Sequence, residues 1–263
     1  MNSIYNAISA LIEKGGTGAL CSIIESSGST PRHEGSKMLV YGDGKFTGTV
    51  GGGEIENRVY EEAKKTILEG RSRLLKYSMV DPARGDPGIC GGTVEIYIEP
   101  ILPPPLLVVI GGGHVGKAVA HLAKWLGFRV AVSDDRPEFC TQETNPDADV
   151  FYNCSIAELT EHLKITPQTY LVLTTRGSNI DVPGLPALLE TPYGYLGIIG
   201  SKKRWLTTKK AILEIGLAED QLIKVNSPIG LEINAESPEE IAVSILAEII
   251  MIRNGGTGKS MKA

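Results

Sequence analysis

LLVVIGGGHVGKAVAHLAKWLGFRVAVSDD, residues 106–135, is the stretch whose reading decides the fold. Leu106 to Ile110 is a short apolar run bounded by Pro105 and Gly111, the signature of a strand buried on both faces. Gly111, Gly113 and Gly116 follow as G-x-G-x-x-G. The next residues, to about Leu126, put Val119, Leu122, Ala123 and Leu126 on one helical face. A second strand is predicted over Phe128 to Ser133, and Asp134 and Asp135 stand at its end. Strand, glycine turn, helix, strand and acidic residue in this order make a Rossmann βαβ unit. Its glycines allow a tight turn and close approach of a phosphate, its helix N-terminus offers unpaired N–H groups, and its acid can accept from ribose hydroxyls. A glycine-rich turn that only lets a helix pack on a strand is the plainer alternative, and the fold does not by itself name a ligand.

Downstream, the same alternation continues. Strands are predicted at Val150–Tyr152, Thr169–Thr175 and Tyr195–Ile199. Helices are predicted at Ile156–Leu163, around Leu185–Leu189 and from Lys202 to about Ile215. Ser237, Pro238 and Glu240 read as N-cap, N1 and N3 of a last helix reaching about Ile252. Strands alternating with helices imply a parallel sheet.

Upstream, the pattern differs. Ile4–Glu13 has helical spacing, and strands are predicted at Ala19–Glu25, Lys37–Tyr41, Lys45–Val50 and Arg73–Met79. Gly42-Asp43-Gly44 suits a hairpin turn. A helix is predicted from Glu54 to Gly70. Thr93–Glu99 alternates Val94, Ile96 and Ile98 with Glu95, Tyr97 and Glu99, as a half-exposed strand does. Pro100 and Pro103-Pro104-Pro105 then form a stiff linker. The fold class is therefore α/β: a small α+β domain over residues 1–102, then a Rossmann-like parallel-sheet domain over residues 103–263.

Composition narrows the function. The 263 residues are 42% hydrophobic and 22% charged, and the formal net charge of −5 offers no basic excess to offset nucleic-acid phosphates. No apolar run is long enough to span a bilayer. Met1–Leu11 reads as an amphipathic helix without the basic start and apolar centre of a signal peptide. The four cysteines show neither CxxC spacing nor a secreted disulfide pattern, so a reducing cytoplasm is the expected compartment.

Several residues are candidates for a site. Ser26 to Arg32, with Ser29 and Arg32, is a loop rich in hydroxyls with one cation. Gly51, Gly52 and Gly53 form a turn that can present N–H groups to an oxyanion; turn chemistry without a ligand is the alternative. Cys90 stands in a glycine-rich loop near Arg84, where a thiol can ligate a soft metal or carry sulfur, or remain inert. Cys21 and Cys140 sit beside apolar residues and read as packing. His114 in the glycine turn either touches a ligand or caps the helix. Asp134, Asp135 and Arg136 close the second strand, where α/β sheets bind ligands. Lys202, Lys203 and Arg204 open a helix after Gly200-Ser201, against the macrodipole; a bound anion or solvent would compensate them. Gly255 to Ser260 imitates a Walker A loop but lacks its first glycine, since that position is Arg253.

Taken together, these segments resemble the XdhC/CoxI family of accessory proteins of xanthine dehydrogenase and related molybdenum hydroxylases. Residues 28–32, 35–38, 48–53 and 90–95 resemble its N-terminal domain. Residues 111–116, 134–139, 199–203, 227–231 and 237–242 resemble its Rossmann domain. The resemblance implies a chaperone more than a classical enzyme. It would bind molybdenum cofactor, a pterin dithiolene carrying a phosphate, work with a cysteine desulfurase that installs a sulfido ligand, and deliver the cofactor to a xanthine dehydrogenase-type hydroxylase. It implies cofactor contacts at Ser29, Arg32, Gly51–Gly53, Cys90, Gly111, Gly113, His114, Gly116, Asp134–Arg136, Ser201 and Lys202, with Cys90 also a metal ligand. A homodimer remains open. The family often has histidine where Ser178 and Asn226 stand here. The competing expectation is an NAD(P)-dependent oxidoreductase, which would place a catalytic acid or base, such as Tyr-x-x-x-Lys on a helix, near the nicotinamide; residues 103–263 contain no such pair.

Overall fold

The structure, a computed structural model, describes residues 4–79 and 91–262. The chain divides into two compact units, Met1–Pro103 and Pro104–Ala263.

The first unit runs α1 (Ile4–Glu13), β1 (Gly18–Ser27), β2 (Lys37–Tyr41), β3 (Phe46–Gly48), α2 (Gly53–Glu69), β4 (Arg73–Ser78) and β5 (Thr93–Ile101). Its strands form one antiparallel sheet in the order β3-β2-β1-β5-β4. The alternation in β5 buries Val94, Ile96 and Ile98, which pack with Ile55, Val59 and Ala63 of α2. β1 runs on to Ser27, taking in Ser26 and Ser27, which were expected in a loop. β3 is shorter than predicted. β5 runs through Pro100, because its pairing with β4 stops at Ile98 and leaves an open edge that tolerates a proline.

The second unit runs β6 (Leu106–Ile110), α3 (His114–Trp125), β7 (Arg129–Ser133), β8 (Val150–Tyr152), α4 (Leu159–His162), β9 (Thr169–Leu173), α5 (Ser178–Leu189), β10 (Tyr195–Ile198), α6 (Lys202–Glu214), α7 (Glu219–Leu222), β11 (Val225–Asn226) and α8 (Pro238–Asn254). All six strands are parallel, in the order β11-β10-β9-β6-β7-β8. Helices cover both faces, which is why β6 is apolar throughout. Leu107 and Val109 pack with Val119 of α3 and Ile245 of α8, whereas Val108 and Ile110 pack with Leu185 of α5 and Ile212 of α6. The strand order reverses between β6 and β9. Parallel sheets of this kind bind ligands at the carboxyl ends of the strands beside such a reversal.

The capping box on α8 forms as predicted: the Ser237 hydroxyl accepts from Glu240 N at 3.2 Å while the Glu240 carboxylate accepts from Ser237 N at 3.1 Å. α5 begins at Ser178, well before the predicted Leu185, and carries Pro183 and Pro186 inside it. α4 is reduced to four residues. Neither α7 nor β11 was expected.

Candidate functional site

The three glycines of the turn do different work. Gly111 has φ +108°, and a Cβ there would lie 2.8 Å from the Thr174 carbonyl oxygen. A Cβ on Gly116 would lie 2.0 Å from the Gly111 oxygen, so this position lets α3 press on the turn. Gly113, the N-cap of α3, has φ −71°, and a Cβ there meets nothing within 4 Å. Only Gly113 faces open space, and it supplies no side chain to cap the helix. The first-turn amides and the positive end of the helix dipole thus lie where a phosphate can reach them. Gly113→Val is compatible with this backbone and should leave the circular dichroism spectrum intact. Losing one charge-assisted contact is worth about 1.5–3 kcal/mol, so affinity for a phosphorylated ligand should fall about 10–100-fold in a direct titration.

Asp134 locks this turn from below. It is buried, and its oxygens accept from Gly112 N (2.9 Å) and from Arg136 N, Nε and Nη2 (3.0, 2.9 and 2.9 Å). Burial alone would raise its pKa, but the hydrogen bonds from Arg136 and Gly112 outweigh burial and hold the carboxyl below its ordinary range. The Arg136 guanidinium also lies 3.8 Å over the Phe139 ring. Asp135 is the exposed carboxylate of the pair. It meets Arg176 Nη2 at 3.1 and 3.2 Å. The two adjacent acids therefore have separate tasks, one structural and one available to a ligand.

Beside the turn, the carboxyl ends of β6, β7 and β9 enclose a cavity of about 250 Å3. Gly111 and Asp134 to Arg136 line it, with Ile156, Ala157, Ile180 and Pro183 as apolar wall and Asn179 and Arg176 on the polar side. Cys154 also lines it. Burial raises its thiol pKa, and it lies 3.9 Å from the Ser133 hydroxyl. Sequence reasoning passed over Cys154, Ile156 and Asn179: the first two lie in the segment after β8 and Asn179 in the first turn of α5, and only the fold brings them beside the end of β6. His114 is exposed and borders a separate hollow between α3 and α8 with Lys117, His121 and Glu239.

The cations at the start of α6 also separate. Ser201 is the N-cap and accepts from Arg204 N at 3.2 Å. Lys202 and Lys203 are exposed. Arg204 turns inward to Asp181, which is fully buried, with Nη2 2.7 Å from the carboxylate, 2.7 Å from the Thr175 hydroxyl, and Nη1 3.1 Å from the Thr175 carbonyl. Asp181 thus supplies the compensating anion for one of the three cations.

In the first unit, the structure brings three predicted segments together. A Cβ on Gly51 would meet Pro31 at 3.6 Å, one on Gly28 would meet Gly92 at 3.0 Å, and one on Gly92 would meet the Ser29 oxygen at 2.4 Å. Gly51, Gly52 and Gly53 all have positive φ. The anion facing this turn is the chain's own Glu56, which accepts from Gly52 N at 3.2 Å, Val50 N at 3.3 Å and the Thr49 hydroxyl at 2.5 Å. Gly51 N donates to Thr49 Oγ1 at 3.2 Å. Arg32 and Ser29 are exposed. Cys90 and Arg84 lie outside the described residues.

Among the described residues, no group of three or more His, Cys, Asp or Glu could hold a metal ion, and no helix is long and apolar enough to cross a membrane. Cys21 and Cys140 are buried as expected; burial pushes the Cys21 pKa up to about 12. Tyr-x-x-x-Lys does occur in the first unit, at Tyr41–Lys45 and, on α2, at Tyr60–Lys64. The α2 pair is structural: Tyr60 donates to the Gly44 carbonyl at 2.8 Å, and Lys64 binds Glu61 at 3.1 Å. Of the two positions where the family often has histidine, Ser178 opens α5, and Asn226 donates to the Leu196 carbonyl at 3.2 Å.

Comparison with known proteins extends over both units. Residues 107–249 match the XdhC Rossmann domain, and residues 11–78 match the XdhC and CoxI family. The uncharacterized protein YqeB of Escherichia coli (strain K12) is 35% identical over 261 residues, covering 98% of this chain and 48% of YqeB. The chain thus spans about half the length of that relative. The molybdenum cofactor insertion chaperone PaoD of the same organism is 25% identical, over 94% of this chain and 86% of PaoD. A crystal structure of a xanthine dehydrogenase from Bacillus halodurans superposes with a TM-score of 0.52 at 24% identity, covering 98% of each chain, and so shares the fold. With a match in each unit, the chain belongs to the XdhC and CoxI family, and its second unit is that family's Rossmann domain.

Proposed function

We propose that this chain is a molybdenum-cofactor accessory factor that binds the cofactor and delivers it to a xanthine dehydrogenase-type hydroxylase. The observation that carries this reading is the open, uncapped start of α3 at Gly113, in a chain of this family and similar to PaoD along nearly its whole length. The cofactor is cargo, and its phosphate suits the amides after Gly113. In the first unit, exposed Arg32 offers a cation to an anionic ligand, whereas the glycine turn is already faced by Glu56. Cys90 is proposed to hold the molybdenum or its sulfur, and a cysteine desulfurase to supply that sulfur. The chain's part is to bind, orient and shield the cofactor.

The test is activation of an apo-hydroxylase by the purified protein, with molybdenum carried by the protein measured in parallel. Activation with stoichiometric cofactor supports the reading. A protein that carries no cofactor and activates no hydroxylase of this type refutes it. Cys90→Ala should keep the fold and lower cofactor retention by at least the roughly 10–100-fold typical of groups that support a metal site. If Cys90→Ala retains and delivers cofactor as the wild type does, the thiol has no part in the transfer.

A further inference from the structure

We propose that Asn145 is a positioning residue for the glycine turn: it holds the Gly112 carbonyl so that the next amide, Gly113 N–H, faces outward to an anionic ligand. The proposal rests on the reading that this turn takes a phosphorylated ligand, and it names the side chain that orients the turn. The peptide between Gly112 and Gly113 is trans, so its carbonyl and its N–H point in opposite directions. Asn145 Nδ2 donates to the Gly112 carbonyl at 3.1 Å and to the Phe139 carbonyl at 2.8 Å. With the carbonyl tied to the loop before β8, the N–H is turned away from that loop. Among the described residues no group accepts from Gly113 N, and a Cβ on Gly113 meets nothing within 4 Å. Asp134 acts elsewhere: its carboxylate accepts from Gly112 N, which belongs to the preceding peptide.

A peptide plane between two glycines can turn over at little steric cost. Turned over, it would aim a carbonyl oxygen at the incoming anion and repel it. Asn145 opposes that rotation from a fixed position. It is fully buried, and its backbone is held on both sides, Asn145 N donating to the Thr141 carbonyl at 2.9 Å and Ala148 N to the Asn145 carbonyl at 3.2 Å. The approach is close. A Cβ on Gly112 would lie 2.9 Å from Asn145 Nδ2 and 2.3 Å from the Phe139 oxygen, so this position of the turn needs glycine for the contact to form. Asn145 Oδ1 has no hydrogen-bond partner among the described residues. An orphaned buried acceptor is a cost, so what the residue contributes is its two donors.

The probe is inorganic pyrophosphate, followed through the backbone amide resonance of Gly113 in the isotope-labelled intact chain; Gly113→Ala identifies that resonance by removing it. In the wild type the resonance should move saturably. In Asn145→Leu, similar in size but without donors, half-saturation should need about tenfold or more pyrophosphate, the worth of one charge-assisted contact. A purely structural role would lower the melting temperature of Asn145→Leu and leave the pyrophosphate affinity of the folded variant unchanged; that result overturns the proposal. If Asn145→Leu does not fold, the wild type decides. An anion on Gly113 N–H polarises the same peptide and strengthens the bond that its carbonyl accepts, so the Asn145 Nδ2 protons should shift downfield as pyrophosphate binds. Nδ2 protons that stay in place while Gly113 responds overturn the proposal and leave the reading of the turn intact. If pyrophosphate does not move the Gly113 resonance of the wild type, the reading of the turn falls and this inference with it.

Discussion

Asp181→Ala should destabilise the second unit by about 3–5 kcal/mol, the cost of leaving a buried charge without its partner. Asp181 lies on α5 with no solvent exposure and holds Arg204 of α6, while the Thr175 hydroxyl, just beyond β9, donates to its other oxygen. Removing the carboxylate leaves the largely buried Arg204 guanidinium, whose Nε already lacks a partner, without its counter-charge. Both tryptophans of the chain, Trp125 and Trp205, belong to the second unit, so tryptophan fluorescence during urea unfolding reads this unit directly. A loss under about 1 kcal/mol would place the pair among exposed salt bridges and refute the assignment. The double variant Asp181→Ala, Arg204→Leu should recover most of the loss, because it removes the orphaned charge as well. The same contact fixes the loop carrying Thr175 and Arg176, so the single variant should also weaken ligand binding in the cavity it borders.

Asp134→Asn should cost about 3 kcal/mol, near the low end for a buried pair, because Arg136 keeps some solvent and its place over Phe139. Its effect on the glycine turn should exceed its effect on stability. The carboxylate holds Gly112 N, and without it the turn loses the contact that orients Gly113. The pH dependence has a definite sign. The folded-state pKa of Asp134 is depressed below its ordinary value of 3.8, so its contribution is fully present above that value and is lost as pH falls through the folded pKa. The stability gap between wild type and Asp134→Asn should therefore be widest near neutral pH and close on acidification below 3.8. A gap that stays constant from neutral to strongly acid pH would show that Asp134 contributes by shape alone.

The glycine turn was legible because local chemistry demands it. Only glycine tolerates the φ of Gly111 and the contact at Gly116, and the apolar run before them has no solvated face to betray a different period. The α8 N-terminus was legible for the same reason: Ser237, Pro238 and Glu240 act on one another within a single turn. The start of α5 was hidden, because Pro183 and Pro186 argue against a helix locally. Packing of Leu185 and Leu188 under the sheet overrides that preference. β11 was hidden because two residues paired only with β10 have no period of their own.

By itself, then, the sequence determined that a parallel α/β unit follows an antiparallel one, where the glycine turn lies, and which family the chain resembles. These follow from interactions between residues close in the chain. Only the tertiary structure decided what each charged group does. Asp134 and Asp135 are neighbours with the same chemistry, yet one is buried under Gly112 and the other faces Arg176, 41 positions away. Arg204 was one of three cations that a bound anion or solvent was expected to compensate, until the fold brought it to Asp181, 23 positions earlier. The amides of the Gly51–Gly53 turn looked open until Glu56 was seen to take Gly52 N and the Thr49 hydroxyl oxygen to take Gly51 N. A charge takes its role from whichever opposite charge and whatever burial the fold brings to it, and neither is a property of its own segment.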